Sequence, residues 1–345
     1  MERLEILRPD DLHLHFRDGD ALDYTVAATA QVFRRAIVMP NLVPPVTTVD
    51  AASAYRERIL SKVPEGVTFD PLMTLYLKDD TSADELIKAA ASEFVHGVKL
   101  YPAGATTNSK SGVTDISALF PQLETMESHR LPLLIHGEVT HQEVDVFDRE
   151  RIFIETHLQK IVKSFPKLRI VFEHITSQAA AEFVAEAPDN VVATITPQHL
   201  MHNRNDMLVG GIKPHLYCLP ILKAQADQAA LRKAVASGSR KFFLGTDSAP
   251  HATLTKESSC GCAGCYSAPI AMPLYATIFE ELGILDKLEA FASIHGAEFY
   301  ELERNTETIV LEKRPNTVPE RLPYVSEDGV VPLGAGTELP WSLSS

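Results

Sequence analysis

Two histidines stand two residues apart near the start of the chain, in the stretch D-D-L-H-L-H-F-R-D-G. Because residues i and i+2 of a strand face the same side, His13 and His15 could direct two imidazole nitrogens at one metal ion. Leu12, Leu14 and Phe16 would then face the opposite way, into a packed layer. The alternative is a half-buried strand with two polar residues on its exposed face, and a single H-x-H pair does not decide between the two.

Four more polar residues lie at or near the ends of other apolar runs. Lys99 stands in G-V-K-L-Y-P, His136 in L-L-I-H-G-E, His174 in V-F-E-H-I-T and Asp247 in G-T-D-S-A-P-H. Each alone has a structural explanation, since a histidine at a strand end is often just hydrogen-bonded and an aspartate there often caps the next helix. Four histidines, a lysine and an aspartate at five strand ends indicate a metal site instead.

Lys99 is the unusual member, because a metal dication repels an ammonium group. A lysine neutralised by burial can react with carbon dioxide to form a carbamate, an anion whose two oxygens can bridge two metals. A hydroxide would complete the bridge. The predicted ligands are His13, His15 and Asp247 for one metal and His136 and His174 for the other. A single metal with Lys99 as a free base is the alternative, and it uses fewer of these side chains.

Eight apolar runs rich in β-branched residues alternate with stretches of helical period. The runs are Leu4 to His15, Arg35 to Asn41, Thr68 to Leu77, Gly97 to Tyr101, Leu131 to Glu138, Leu168 to Ile175, Asn190 to Thr196 and Lys241 to Asp247. This alternation predicts an α/β protein with one (β/α)8 TIM-barrel domain over residues 1–345, and a doubly wound sheet is the alternative. Chemistry in such barrels sits at the carboxyl ends of the strands, where the candidate ligands stand.

The connections between these runs add two expectations. The segment from Pro197 to Leu219 is long and carries a Gly-Gly pair, which indicates a functional excursion on the active face. After helices between about Ala268 and Tyr300, a proline-rich tail covering about residues 314–345 is expected to pack on the barrel.

Composition restricts the partners. The 345 residues carry a net charge of -14, which disfavours nucleic acid and acidic membrane surfaces, and 45% are hydrophobic, as expected for a globular protein. No run approaches the about 20 apolar residues of a membrane-spanning helix. The first residues, M-E-R-L-E-I-L-R, lack the apolar core of a signal peptide, so a cytoplasmic location is expected.

Three of the four cysteines, Cys260, Cys262 and Cys265, cluster in C-G-C-A-G-C. A structural zinc site usually takes four ligands from two separated pairs, and only Cys218 is left to complete a set. Reduced thiols in a loop of small residues are the favoured interpretation, with a cysteine metal site as the alternative.

The motifs together closely resemble the dihydroorotases of the amidohydrolase superfamily, in particular the short monofunctional type of pyrimidine biosynthesis. The matching stretches span about residues 10 to 270: H-L-H-F-R-D-G, M-P-N-L-V-P-P-V, G-V-K-L-Y-P-A-G-A-T-T-N-S, I-H-G-E, F-E-H-I-T, T-P-Q-H-L, C-L-P-I-L-K and G-T-D-S-A-P-H. The resemblance implies a homodimer with two zinc ions per subunit, bridged by carbamylated Lys99 and a hydroxide. The one departure noted is Phe16, where leucine is usual, and it is conservative.

The resemblance also implies a reaction, the reversible cyclisation of N-carbamoyl-L-aspartate to dihydroorotate with loss of water. Asp247 would move the proton between the nucleophile and the ring nitrogen. The implied substrate-binding residues are Arg17, Asn41 and His251 through their side chains and Leu219 and Ala263 through their backbone. An Arg17 side chain offers a two-pronged contact to a carboxylate, although it could instead pair at the surface with Asp18 or Asp20.

The segment A-G-A-T-T-N-S-K-S-G, residues 103–112, follows the Lys99 strand and holds mostly small or polar side chains. It is expected to be a mobile lid whose Thr106 and Thr107 close on the substrate, with an ordinary flexible loop as the alternative.

Two rival functions stay open. A hydantoinase or allantoinase would share the metal ligands without needing Arg17 and Asn41, and an inactive barrel serving as a scaffold would be expected to lack some ligands.

Overall fold

Eight parallel strands form a barrel in the computed structural model, which describes residues 2–344. The strands of the barrel follow one another around it in chain order. They are β2 (Asp10–Leu14), β3 (Arg35–Val38), β4 (Asp70–Tyr76), β5 (Val95–Leu100), β6 (Leu133–Ile135), β7 (Ile170–Phe172), β8 (Val191–Ile195) and β9 (Phe242–Leu244). The (β/α)8 prediction is confirmed, and the doubly wound alternative is wrong.

The barrel is completed between its first and last strands just beyond β9. The backbone N–H of Asp247 donates to the carbonyl of His13 over 2.8 Å, and the N–H of His15 donates to the carbonyl of Ser248 over 2.9 Å. Asp247 is therefore joined to the histidine-bearing strand by backbone hydrogen bonds at the rim. The two hydrogen bonds of this closure join residues 234 and 233 positions apart in sequence.

One expectation about the first barrel strand is wrong. Leu14 and Phe16 do pack in the main core between sheet and helices, but Leu12 belongs to a second cluster inside the barrel with Ile37 and Phe243. The pairing of β2 with β3 shifts its register between Asp11 and Leu14. An irregularity of this kind breaks the strict alternation of faces, so Leu12 and His13 need not point to opposite sides.

The predicted first run, Leu4 to His15, is two strands. The preceding strand β1 (Arg3–Leu7) lies outside the barrel and pairs antiparallel with β10 (Thr308–Glu312). Arg8 and Pro9 separate β1 from β2, and a proline cannot donate to a strand ladder and restricts the residue before it. Because apolar residues lie on both sides of this break, the two strands look like one continuous run in the sequence.

The helices lie in the connections between strands and after the last one. They are α1 (Leu22–Ala30), α2 (Val49–Leu60), α3 (Ala83–Ala90), α4 (Phe120–Ser128), α5 (Arg149–Phe153), α6 (Gln159–Ser164), α7 (Gln178–Glu186), α8 (Pro197–Met201), α9 (Arg204–Leu208), α10 (Gln225–Ala236), α11 (Thr253–Lys256), α12 (Ala271–Glu281) and α13 (His295–Phe299). Side-chain caps begin several of them, as Ser82 does for α3 by accepting from the N–H of Glu85.

The C-terminal segment returns to the start of the chain. Its strands are β11 (Asn316–Thr317), β12 (Glu338–Leu339) and β13 (Ser342–Leu343), and β13 pairs with β10. Trp341 is fully buried in the same hydrophobic core as the barrel strands and helices. Within residues 2–344, none of the helices has both the length and the apolar character needed to cross a membrane.

Candidate active site

All six predicted metal ligands converge at one end of the barrel, at or just beyond the carboxyl ends of their strands. Three of the histidines stand in a row, with ring centroids 4.8 Å apart for His13 and His174 and 4.9 Å apart for His136 and His174. His15 lies beside His13 at 5.5 Å between centroids. Imidazoles at these separations can serve two neighbouring ions better than one.

His13, His15 and Asp247 form the tightest group, with one candidate ligand atom from each lying within 4.8 Å of the others. The Oδ1 atom of Asp247 is 3.1 Å from Nε2 of His15 and 3.5 Å from Nε2 of His13. Although burial alone would raise it, the adjacent imidazoles of His13 and His15 hold the pKa of Asp247 well below its usual range. The carboxylate is therefore charged and directed at two imidazoles, as a metal ligand would be.

Backbone strain accompanies two of these side chains. Asp247 and His174 have φ angles of 46° and 40°, in the left-handed region that few residues other than glycine adopt. Arg17 has a φ of 66° as well. Such conformations are held only where the surrounding structure enforces them, and here they direct polar groups into the barrel mouth.

Lys99 is the most isolated of the six. Its side chain is fully buried, and its Nζ atom has no hydrogen-bond partner among the described residues. Burial lowers the pKa of Lys99 to about 8, so part of the population carries a free amine at neutral pH. An unpartnered buried amine is costly unless another group satisfies it, and a free amine is the form that reacts with carbon dioxide.

Burial also lowers the pKa values of His136 and His174, the latter well below its ordinary range. Neutral imidazoles keep a lone pair for a metal. Nδ1 of His174 is buried without a hydrogen-bond partner among the described residues. These orphaned atoms and the nearby carboxylate form a donor set that fits metal binding.

A narrow cavity lies beside these ligands, and its empty space of about 300 Å³ includes open solvent at its mouth. The predicted substrate-binding and lid residues all line it except His251, which contacts its wall. The lining residues are His15, Arg17, Asn41, Tyr101, Thr106, Thr107, His136, His174, Leu219, Asp247, Ala249, Ala263 and Gly264.

Arg17 is held at the cavity wall. Its Nε donates to the carbonyl of Pro250 over 3.2 Å, and its Nη2 lies 2.9 Å from Nε2 of His251. That imidazole nitrogen is also 3.0 Å from the carbonyl of Ala263. The surface-pair alternative for Arg17 is wrong for Asp18, because Arg58 engages that carboxylate with two hydrogen bonds of 2.9 and 2.7 Å.

Asn41 links the metal ligands to the proposed lid. Its Oδ1 lies 2.8 Å from Nδ1 of His15, and its Nδ2 donates to the carbonyl of Thr107 over 3.0 Å. Thr107 in turn donates from its hydroxyl to the carbonyl of Ala263 over 3.3 Å. The segment is therefore folded inward across the barrel mouth.

Three polar side chains at the site were missed by the sequence prediction. Glu138 and Glu173 are buried carboxylates 2.9 Å from Nε2 of His136 and 2.8 Å from Nδ1 of His13. Tyr101 has a buried hydroxyl with no partner among residues 2–344 and lines the cavity. Each stands one or two residues from a predicted ligand or on the same strand face, which is the signal that sequence reasoning could have used.

The cysteine metal site receives no support. Cys218 and Cys265 are buried, and Cys260 and Cys262 lie together near the surface with their sulfurs 3.8 Å apart. Among residues 2–344, the one group of three or more His, Cys, Asp or Glu side chains close enough for a metal is the group with Asp247. All four thiols are free.

The barrel and the His, Lys and Asp cluster at its mouth define the class of metal-dependent hydrolases built on this fold. Residues 11–319 match the model of the amidohydrolase family. A dihydroorotase of Alcanivorax borkumensis is 60% identical over 342 residues, 99% of each chain.

Two solved dihydroorotase structures are similar to this chain over nearly its whole length. The chain is similar to dihydroorotase from Campylobacter jejuni, with a TM-score of 0.90, 37% identity and coverage of 99% and 98% of the two chains. It is similar to dihydroorotase from Saccharomyces cerevisiae in complex with 5-fluoroorotic acid, with a TM-score of 0.90, 33% identity and coverage of 100% and 99%. The chain belongs to the dihydroorotase family of amidohydrolases, and that membership implies a metal centre.

Proposed function

We propose that this protein catalyses the reversible conversion of N-carbamoyl-L-aspartate to (S)-dihydroorotate and water in pyrimidine biosynthesis. The observation that carries the proposal is the pairing of a metal-ligand cluster with a half-buried arginine in one cavity. The cluster suits hydrolysis of an amide, and the arginine suits a substrate that carries a carboxylate. Relatives about 60% identical over almost the whole chain carry the dihydroorotase name.

The proposed cofactor is a pair of zinc ions joined through carbamylated Lys99. His13, His15 and Asp247 would hold one ion, and His136 and His174 would hold the other. When bound, the pair supplies an activated water at neutral pH and polarises the ring carbonyl. The buried amine of Lys99, which no described residue contacts by a hydrogen bond, supports the carbamate.

Asp247 is the proposed catalytic acid and base. Its carboxylate lines the cavity, and the backbone hydrogen bond to His13 fixes its position. In hydrolysis it takes the proton from the attacking water and delivers it to the leaving ring nitrogen. In ring closure the same carboxylate moves the proton the other way.

Arg17, Asn41 and His251 are proposed to hold the exocyclic carboxylate. Arg17 keeps guanidinium hydrogens for a two-pronged contact, and Asn41 has a second amide hydrogen beyond the one given to Thr107. Burial and the positive charge of Arg17 lower the pKa of His251 to about 2, so the ring is neutral. The backbone groups of Leu219 and Ala263 at the cavity wall can form hydrogen bonds with the amide groups of the substrate ring.

Replacing Arg17 by Ala is expected to lower kcat/KM for dihydroorotate. The loss of transition-state stabilisation should be on the order of 2 to 4 kcal/mol, the scale of a lost charge-assisted pair of hydrogen bonds. Dihydrouracil, which lacks the carboxylate, should be a poor substrate for the wild type and about equally poor for the variant. Steady-state hydrolysis assays with both compounds measure this.

Arg58→Ala is the matched control, because Arg58 is a neighbouring arginine that pairs with Asp18 outside the cavity. It should leave both substrates unaffected. A large loss of dihydrouracil turnover in Arg17→Ala would show that Arg17 is structural.

Thr106 and Thr107 are proposed to close a lid over the substrate. They line the inner cavity and also an outer one with about 1170 Å³ of empty space, so they form part of the partition between the two. Replacing both by alanine should leave metal content and folding intact and lower kcat by about tenfold or more, because closure excludes water and positions the substrate.

Ser111→Ala is the control for the lid, since Ser111 lines only the outer cavity. Protease cleavage within residues 104–112 should also slow when carbamoyl aspartate is added. Unchanged cleavage together with unchanged kcat in the double variant would make the segment an ordinary loop.

Metal analysis combined with an assay for dihydroorotate hydrolysis tests the whole proposal. A hydantoinase or allantoinase would prefer uncharged rings, and a panel of cyclic amides separates these activities. An inactive scaffold would show no turnover with any of them, yet all six proposed ligands are present at the barrel mouth. Hydrolysis of dihydroorotate with bound zinc is the expected result.

The family resemblance also supports a homodimer in the cytoplasm, built from one domain per chain. The buried Trp341, which joins the C-terminal segment to the barrel core, favours a single folding unit. Sedimentation velocity on the zinc-loaded protein should give twice the mass of one chain, and thermal unfolding should show one transition.

A further inference from the structure

A buried carboxylate stands directly behind one proposed metal ligand. Oε2 of Glu138 lies 2.9 Å from Nε2 of His136, and both side chains are only 1% exposed. His136 lines the active-site cavity, whereas Glu138 does not. Glu138 therefore contacts the imidazole from the side away from the substrate.

This contact decides which nitrogen of His136 carries the hydrogen. A carboxylate accepts hydrogen bonds and donates none, so Nε2 must be the protonated nitrogen. The lone pair is then left on Nδ1. Histidines that bind metals commonly have one ring nitrogen fixed in this way by a carboxylate or carbonyl partner.

The carboxylate faces a buried cation. Nζ of Lys223 lies 3.8 Å from Oε1 of Glu138, and both side chains are almost completely buried. Lys223 also donates to the carbonyl of Ile221 over 3.2 Å. Burying a charge is unfavourable unless an opposite charge compensates it. Lys223 therefore offsets the desolvation cost of an ionised carboxylate at this position.

We propose that Glu138 and Lys223 are positioning residues that hold His136 in the tautomer and orientation required for metal binding. The inference rests on the metal centre of the proposed function and adds two residues to it. Neither touches the cavity, so both act through His136. The two belong to the I-H-G-E and C-L-P-I-L-K motifs, whose polar ends otherwise have no assigned role.

Zinc retention by the loaded protein tests this role without any turnover. Glu138→Gln keeps the shape and removes the charge, and Glu138→Asp keeps the charge but shortens the side chain by one methylene. Both should lose zinc to EDTA at least about tenfold faster than the wild type, the usual scale for losing an outer partner of a metal ligand. Zinc per chain is followed by elemental analysis.

Glu150→Gln is the matched control. Glu150 is also a buried carboxylate near the charge of Lys223, but it accepts from the backbone and hydroxyl groups of Thr176 and Ser177 and contacts no histidine. Its loss should lower thermal stability and leave zinc release within about twofold of wild type. Equal zinc retention in Glu138→Gln, Glu138→Asp and wild type would overturn the proposal.

Lys223→Met separates positioning from simple charge balance. The variant should release zinc faster, because Glu138 loses its compensating cation. If charge balance alone mattered, combining Lys223→Met with Glu138→Gln would restore wild-type zinc retention, and that result would overturn the positioning role. The expected result is continued fast release in the double variant. Wild-type protein that binds no zinc would instead count against the proposed function itself.

Discussion

Asp247→Asn is expected to lower kcat by about 100-fold or more, the usual scale for losing a general acid or base. The amide keeps the shape and can still meet His13 and His15, but it cannot take a proton from water. Substrate binding should suffer less, because Arg17 and Asn41 lie on other parts of the cavity wall. Steady-state kinetics in both reaction directions give kcat and KM separately.

Zinc content must be measured on the same preparation, since Asp247 is also a proposed ligand. Asp18→Asn serves as the control, because that carboxylate is partly exposed and pairs with Arg58. A variant at position 247 that retained zinc and more than a tenth of the wild-type kcat would mean that another residue moves the proton.

Lys99→Ala is expected to reduce bound zinc and to abolish most activity. The carbamate is the one proposed group that joins the two metals through the chain, so its removal leaves each ion with fewer ligands. The fully buried side chain also leaves a space behind. A short carboxylic acid, such as acetate or propionate, can enter that space and should restore part of the activity.

Lys99→Arg distinguishes the carbamate from a plain buried cation. Its guanidinium stays charged and does not form the carbamate, so this variant should be as inactive as Lys99→Ala and should not respond to acetate. Bicarbonate should speed recovery of the metal-stripped wild type and of neither variant. Two zinc ions and near-normal turnover in Lys99→Ala would rule out the bridging carbamate.

The strand-helix alternation was enough to predict the barrel, because each strand needs a run of apolar residues and each helix an amphipathic stretch. The two errors concern the first strand. Pro9 divides the apolar run so that Arg3–Leu7 joins a separate sheet, and the register shift after Asp11 turns Leu12 into the barrel. Both depend on pairing with distant segments, which a local pattern does not contain.

The motifs likewise predicted which side chains meet at the barrel mouth, but not their contacts. Glu138 and Glu173 looked like ordinary polar residues beside histidines, and their distances of 2.9 and 2.8 Å to imidazole nitrogens appear only after folding. The pairing of Asp18 with Arg58, 40 residues away, likewise forms only in the folded chain.

The sequence by itself determined the residue types and the order of strands, and hence which residues stand at strand ends. Parallel strands in a barrel all end on one face, so residue types and order sufficed to predict a common site. Only the tertiary structure decided how those groups are oriented and charged. Burial leaves Lys99 without a partner, backbone closure places Asp247 against His13, and Lys223 compensates Glu138, because each effect arises from groups far apart in sequence.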